Sequence, residues 1–257
     1  MYLEEYGNPE GSPIFFLHGS MVSGWMWRQQ AEDLPLYRSL IPDFPGFGKS
    51  ANEKWISLSD TADRIAEVIE ERCPESASHV VGLSLGGILA LHLAVRHPKT
   101  VRSLLVSGVP YGKIPAIFSG LNGLMSKLYS RPRGARLIAK MMGIPRDESM
   151  EAFLLTAKQT DPGALKSVTK EISQSPLPTG LEGISTPTLT VAGTRDNALV
   201  KAGIRFLSQT ISSSCAYFVP NVGHHWNAEK PELFSNMVEE WVGSQSVVEG
   251  LLPYGDT

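Results

Sequence analysis

The pentapeptide Gly82-Leu83-Ser84-Leu85-Gly86 constrains this chain more than any other stretch, because of what flanks it. The apolar run His79-Val80-Val81 precedes it, and a nearly uninterrupted apolar stretch from Ile88 to Val95 follows. The pattern is a strand, a tight turn and a buried helix, and a serine centred in such a turn reads as a nucleophile elbow. The turn forces the serine into a strained backbone conformation and leaves no room for side chains two residues to either side. Both of those positions are glycine.

Short apolar runs bounded by turn residues mark buried parallel strands. Ile14-Phe15-Phe16-Leu17 is one, ending in His18-Gly19-Ser20, and Ser39-Leu40-Ile41 is another, running into Asp43-Phe44-Pro45-Gly46. Downstream, Thr188 to Gly193 leads to Thr194-Arg195-Asp196, and Cys215 to Val219 leads to Asn221-Val222-Gly223-His224. Serine, aspartate and histidine therefore occur in that order, each just past a predicted strand. Helical periodicity appears at Leu58, Ala62, Ile65, Val68 and Ile69, with Ser59 and Asp60 suited to the helix start. Further helices are predicted at 200–211 and 231–242, while the tail from Ser244 to Thr257 carries no clear signal and is expected to be partly ordered at best.

In strand ends, motif order and spacing the chain resembles the alpha/beta-hydrolase family, over essentially its whole length outside the middle segment. The resemblance implies an α/β fold in which a mostly parallel central sheet is flanked by helices. A helical cap is expected after the sixth strand of the family, giving a core of residues 1–109 and 184–257 and a cap of residues 110–183. The segment from Val109 to Gly183 fits a cap, because strand and helix stop alternating there and prolines recur at 110, 115, 132, 145, 162, 176 and 178. The short N-terminus implies a single antiparallel edge strand in place of the family's usual hairpin.

The implied chemistry is acyl transfer. Serine is a weak nucleophile, so a neutral imidazole must take its proton while a carboxylate on the other ring nitrogen orients and stabilises the ring. Ser84, His224 and Asp196 are the candidates for these roles. His225 competes with His224, but family members often read Gly-His followed by an acid five residues on, then Pro-Glu and an aromatic. Here Gly223-His224 is followed by Glu229, Pro231-Glu232 and Phe234, and that register selects His224. The oxyanion calls for backbone donors, for which Leu85 N–H and Ser20 N–H are the candidates, with Met21 N–H in reserve. Asp43 is expected to hold backbone N–H groups, and His18 to organise its loop. Met21, Ile117, Phe118, Leu121, Met125 and His225 are candidate pocket residues. The mechanism requires no metal and no organic cofactor.

The expected reaction is hydrolysis of a small-molecule carboxylic ester. Two alternatives stay open: hydrolysis of carbon–carbon bonds in ring-cleavage products, and a slow-turnover small-molecule receptor on the same fold. The first also places tryptophan after the catalytic histidine, whereas Trp226 here comes one residue later, after His225. Dehalogenases and epoxide hydrolases are disfavoured, because their nucleophile is aspartate.

Composition narrows the partners. The formal charge of the 257 residues is −3, which argues against nucleic acid. Two cysteines, Cys73 and Cys215, make neither a disulfide framework nor a metal site. Acid near the N-terminus and the lack of a long apolar run argue against a signal peptide or a membrane span, so a cytoplasmic protein is expected. Yet between Pro110 and Met150 seven basic residues, Lys113, Lys127, Arg131, Arg133, Arg136, Lys140 and Arg146, face only Asp147 and Glu148. A solvated helix face is one reading of this asymmetry. Docking of an acidic carrier protein is the other, as with the carboxylesterases of biotin synthesis, whose Leu-Gly-Gly elbow is similar to Leu85-Gly86-Gly87.

Overall fold

Alternation along the strands separates two apolar layers. In β2 (Pro13–Leu17), Phe15 and Leu17 enter one buried cluster while Ile14 and Phe16 enter the other, and all four are fully buried. Val80 and Val81 of β4 (Ser78–Leu83) divide in the same way, as do Leu104 and Leu105 of β5 (Val101–Ser107). Strands covered on both faces read as continuous apolar runs, which is why they were legible as such. The remaining strands are β1 (Leu3–Gly7), β3 (Arg38–Pro42), β6 (Thr188–Gly193), β7 (Ser214–Val219) and β8 (Leu252–Pro253). The computed structural model describes residues 1–112, 125–174 and 177–255.

The sheet runs β1-β3-β2-β4-β5-β6-β7-β8. Its central strands are parallel, and β1 and β8 close the two edges antiparallel to β3 and β7. Among the described residues, β1 is the antiparallel edge strand beside β3. The tail departs from expectation. Tyr254 N–H donates to the Ala216 carbonyl at 2.8 Å and Leu251 is buried, so residues 251–254 lie along the free edge of β7. A two-residue strand has no alternation to reveal it in sequence, and the unpaired edge of β7 supplies the reason for it to form.

Helix α1 (Arg28–Asp33) lies on the layer that holds Ile14 and Phe16, and α2 (Leu58–Arg72) and α3 (Leu85–Arg96) lie on the other. α2 buries Leu58, Ala62, Ile65 and Ile69 of the predicted stripe, while Val68 is only partly buried. Its cap is Ser57, one residue before the helix, whose hydroxyl accepts from Asp60 N–H at 3.0 Å. α3 is buried at every position from Leu85 to Ala94.

Between β5 and β6 the described residues include helical residues 125–129, α4 (Pro132–Met141), α5 (Glu148–Gln159), α6 (Pro162–Gln174) and a short 3-10 turn, Leu181–Gly183. They sit over the C-terminal ends of the strands. Asp161 N–H donates to the Gly46 carbonyl at 2.9 Å, and the Glu171 carboxylate accepts from Trp55 Nε1 and from Leu58 N–H, each at 2.9 Å. The chain then finishes with α7 (Ala198–Thr210), the short α8 (Trp226–Glu229) and α9 (Pro231–Ser244).

The two elbow glycines are required by contact. A methyl group on Gly86 would overlap the Leu17 carbonyl of β2, and one on Gly82 would overlap the Gly86 carbonyl. Gly86→Ala is therefore expected to destabilise the fold by about 3 kcal/mol or more, despite alanine's better helix propensity. Gly183→Ala, where nothing lies within 4 Å of an added methyl, should change stability by less than about 0.5 kcal/mol. Urea denaturation midpoints of the two variants check the contrast.

Candidate active site

Ser84 joins β4 to α3 with φ 56° and ψ −113°, outside the regions that L residues prefer. Its N–H donates to the Ser107 carbonyl at 2.8 Å and its carbonyl accepts from Ile88 N–H at 3.0 Å. Sheet and helix thus hold one strained residue from both sides. Strain of this kind costs about 1–3 kcal/mol and persists only where the surroundings over-determine it.

Asp196 lies three residues past β6, with its N–H bonded to the Gly193 carbonyl at 3.0 Å. Its carboxylate oxygens lie 3.2 and 3.1 Å from His224 Nδ1. Since a carboxylate only accepts, Nδ1 carries the proton, and in the neutral ring Nε2 is then the basic nitrogen. The Asp196 side chain is 2% exposed and that of His224 27%, so the acid is sealed and the ring is open on one side. Around them, Glu229 accepts from Gly223 N–H at 2.8 Å and pairs with Arg195, tying the loops after β6 and β7 together.

The register of the sheet sets the ring beside the serine. Leu83 of β4 pairs with Ser107 of β5, and the His224 ring packs on the next residue, Gly108. A methyl group there would come within 2.7 Å of His224 Cε1, so only glycine admits the ring. Trp226 Nε1 donates to the Ser107 hydroxyl at 2.9 Å and pins the loop from below. Ser84 and His224 are therefore neighbours, although no hydrogen bond joins them among the described contacts. Apo sites are often this loose.

Among the described contacts, Asp196 bonds to His224 and not to His225. The His225 ring stands perpendicular to that of His224 at 5.2 Å, and burial, reinforced by the neighbouring His224, pushes its pKa down to about 4. It lines a cavity of about 250 Å³ between α1 and α5 that also includes Trp25, Met26, Ile144 and Asp147. Met21 and Met125 pack partly buried against the larger apolar cluster rather than in this cavity. Ile117, Phe118 and Leu121 lie outside the described residues.

The loop after β2 is held tightly. His18 is fully buried, stacked on Phe44 at 3.9 Å, with Nδ1 2.7 Å from the Gly19 carbonyl and Nε2 accepting from Phe44 N–H at 3.0 Å. Two committed nitrogens and the burial that lowers its pKa keep this ring neutral and out of proton transfer. Asp43 accepts from Gly24 N–H and Lys49 N–H, each at 2.7 Å, the role expected of it. Gly19 lies beside Leu83, which brings Ser20 to the elbow. Neither Ser20 N–H nor Leu85 N–H donates to a protein acceptor among the described contacts. Next to Ser20, Met21 adopts φ 65°, and its carbonyl accepts from the Tyr129 hydroxyl at 2.7 Å. Nothing in the sequence pointed to Tyr129, Thr156 or the Ser107–Trp226 bond, since each joins residues more than a hundred positions apart.

Residues 14–236 match the alpha/beta hydrolase family. The chain belongs to that family. It is 30% identical over 254 residues to an AB hydrolase superfamily protein of Gibberella zeae, covering 95% of this chain and 84% of the relative. It is 28% identical over 257 residues to a pimeloyl-[acyl-carrier protein] methyl ester esterase of Aeromonas hydrophila, covering 94% and 98%. Among solved structures, an esterase from Exiguobacterium antarcticum superposes with a TM-score of 0.80 at 20% identity, covering 95% of each chain, a likeness of fold. No helix among the described residues is long and apolar enough to cross a membrane.

Burial also pushes His79 down to about 4, with Arg102 adding to it. An unfolded histidine titrates near ~6.5, so from there down to about 4 the unfolded chain binds protons that the native sites of His79 and His225 refuse. Stability is full above that window and falls through it as pH drops. Histidine ring resonances followed by NMR should give both residues midpoints near 4, and urea midpoints should decline from pH 6.5 downward.

Proposed function

We propose that the protein hydrolyses carboxylic esters through an acyl-enzyme on Ser84. The observation that carries this reading is the strained Ser84 at the strand-to-helix turn, beside a His224–Asp196 pair seated on the adjacent strand end. The esterase names of its relatives support the substrate class.

Ser84 Oγ attacks the ester carbonyl carbon as its proton passes to His224 Nε2. Charge gathers on the former carbonyl oxygen, where Leu85 N–H, at the positive end of α3, and Ser20 N–H stabilise it. Collapse of the intermediate expels the alcohol, which takes the proton from His224. Water then attacks the acyl-enzyme with His224 again as base, releasing the carboxylic acid and restoring Ser84. Throughout, Asp196 holds the ring tautomer and stabilises the imidazolium. Residues 110–183 form the cap of this reading, over a core of residues 1–109 and 184–257.

Within that cap, Lys127, Arg131, Arg133, Arg136, Lys140 and Arg146 are all exposed and form no ion pair among the described residues. Leu137 and Met141 are exposed beside them on α4. A relative's action on a carrier-protein ester favours this surface as the dock for an acidic acyl carrier. The charges make the encounter and the apolar side chains make the contact.

A fluorophosphonate probe should add once, at Ser84, and Ser84→Ala should abolish both labelling and turnover. His224→Ala and Asp196→Asn should each lower turnover by up to ~10⁴-fold, whereas His225→Ala should keep most of it. The opposite ranking of the two histidines would reassign the base. For the carrier, replacing Arg131, Arg133, Arg136 and Lys140 by Gln should slow turnover of a carrier-bound ester and reduce its salt sensitivity, leaving a small neutral ester unaffected. Equal behaviour of both substrates would return these charges to a solvated face.

A further inference from the structure

The inserted helices grip the loop after β2 through two buried hydroxyls. Tyr129, 2% exposed, donates its hydroxyl to the Met21 carbonyl at 2.7 Å, with its ring edge-on to Phe153 of α5. Two and four residues further along, Ser23 Oγ and Trp25 Nε1 meet the Thr156 hydroxyl at 3.1 and 3.0 Å. Thr156 in turn donates to the Ala152 carbonyl of its own helix at 2.9 Å, so it accepts from both loop residues. The residue that Tyr129 holds is the one with φ 65°, immediately after Ser20. A side-chain-bearing residue keeps such a conformation only where a partner fixes it.

We infer that Tyr129 is a positioning residue for ester hydrolysis. By fixing the Met21 carbonyl it sets the left-handed turn that aims Ser20 N–H at the oxyanion. This rests on the reading of Ser84 and the loop given above. Burial raises the phenol above its ordinary pKa, so the hydroxyl keeps the proton it donates. Because negative charge develops on the substrate oxygen only as the serine attacks, an aimed donor acts on the transition state and not on substrate binding. Loss of the aim therefore belongs in kcat.

Tyr129→Phe keeps the ring and removes the hydroxyl alone. On a small neutral ester, kcat should fall about 10-fold while KM stays within about twofold, a loss smaller than that of deleting a donor outright. Glycine adopts a left-handed φ without a steric penalty, so Met21 substituted by glycine no longer needs the clamp. On a Met21→Gly background, Tyr129→Phe should therefore cost about twofold or less. An equal loss on both backgrounds overturns the inference, as does an unchanged kcat or a loss confined to KM. If Tyr129→Phe fails to fold alone, Met21→Gly is compared with the double variant, and a tenfold gap between them overturns it equally. Fluorophosphonate labelling of each variant separates the two levels. Failure of Ser84 to label removes the underlying reading, whereas full labelling with wild-type kcat in Tyr129→Phe removes only the role of Tyr129.

Discussion

The close approach of α3 to β2 is the contact on which the rest of the site depends. Gly86 brings the first turn of α3 against the carbonyls of Leu17 and His18, and Gly82 lets the turn fold back on itself. One contact therefore brings together the strained Ser84, the N–H groups at the start of α3 and the loop that begins at His18. Neither glycine has a positive φ, so what each contributes is the absence of a side chain, not backbone freedom. Substituting either would separate Ser84 from the loop that faces it before any side chain of the proposed site was touched.

The other parts of the site attach to this contact through the sheet. Pairing of β4 with β5 sets Gly108 beside Ser84, and Gly108 admits the His224 ring. Pairing of β6 with β7 brings the loops of Asp196 and His224 together, and Glu229 ties them. Adjacent parallel strands thus deliver their ends to one edge, a general property of open α/β sheets. The charged groups near the strand ends divide their roles: Asp43 is spent on two backbone N–H groups and His18 on two loop contacts, while Asp196 is sealed behind a His224 ring that stays open on one side.

Features encoded within a few residues were legible in the sequence. The Gly-Leu-Ser-Leu-Gly turn, the apolar strands and the stripe of α2 each state a local requirement, and residues just past strand ends located Asp196 and His224. Choosing His224 over His225 needed the register of the following residues, and the bond to Asp196 falls on the same ring. What could not be read depends on distant partners. Tyr129 looks like any aromatic on a helical segment until Met21 meets it, Ser107 like any strand serine until Trp226 does, and the edge strand β8 takes its conformation from β7. Helix start positions also shift by a residue or two, as Ser57 shows, because any of several neighbouring polar residues can serve as the cap.

The central claim is that Ser84, His224 and the two backbone donors act on one carbonyl group. A crystal structure of the protein phosphonylated by a fluorophosphonate tests it most directly, because the adduct imitates the tetrahedral intermediate. The expected result is phosphorus on Ser84 Oγ, one phosphonyl oxygen within ~2.7–3.1 Å of both Leu85 N and Ser20 N, and His224 Nε2 turned toward Ser84 Oγ. An adduct on another residue, or a phosphonyl oxygen bound away from both N–H groups, would contradict it.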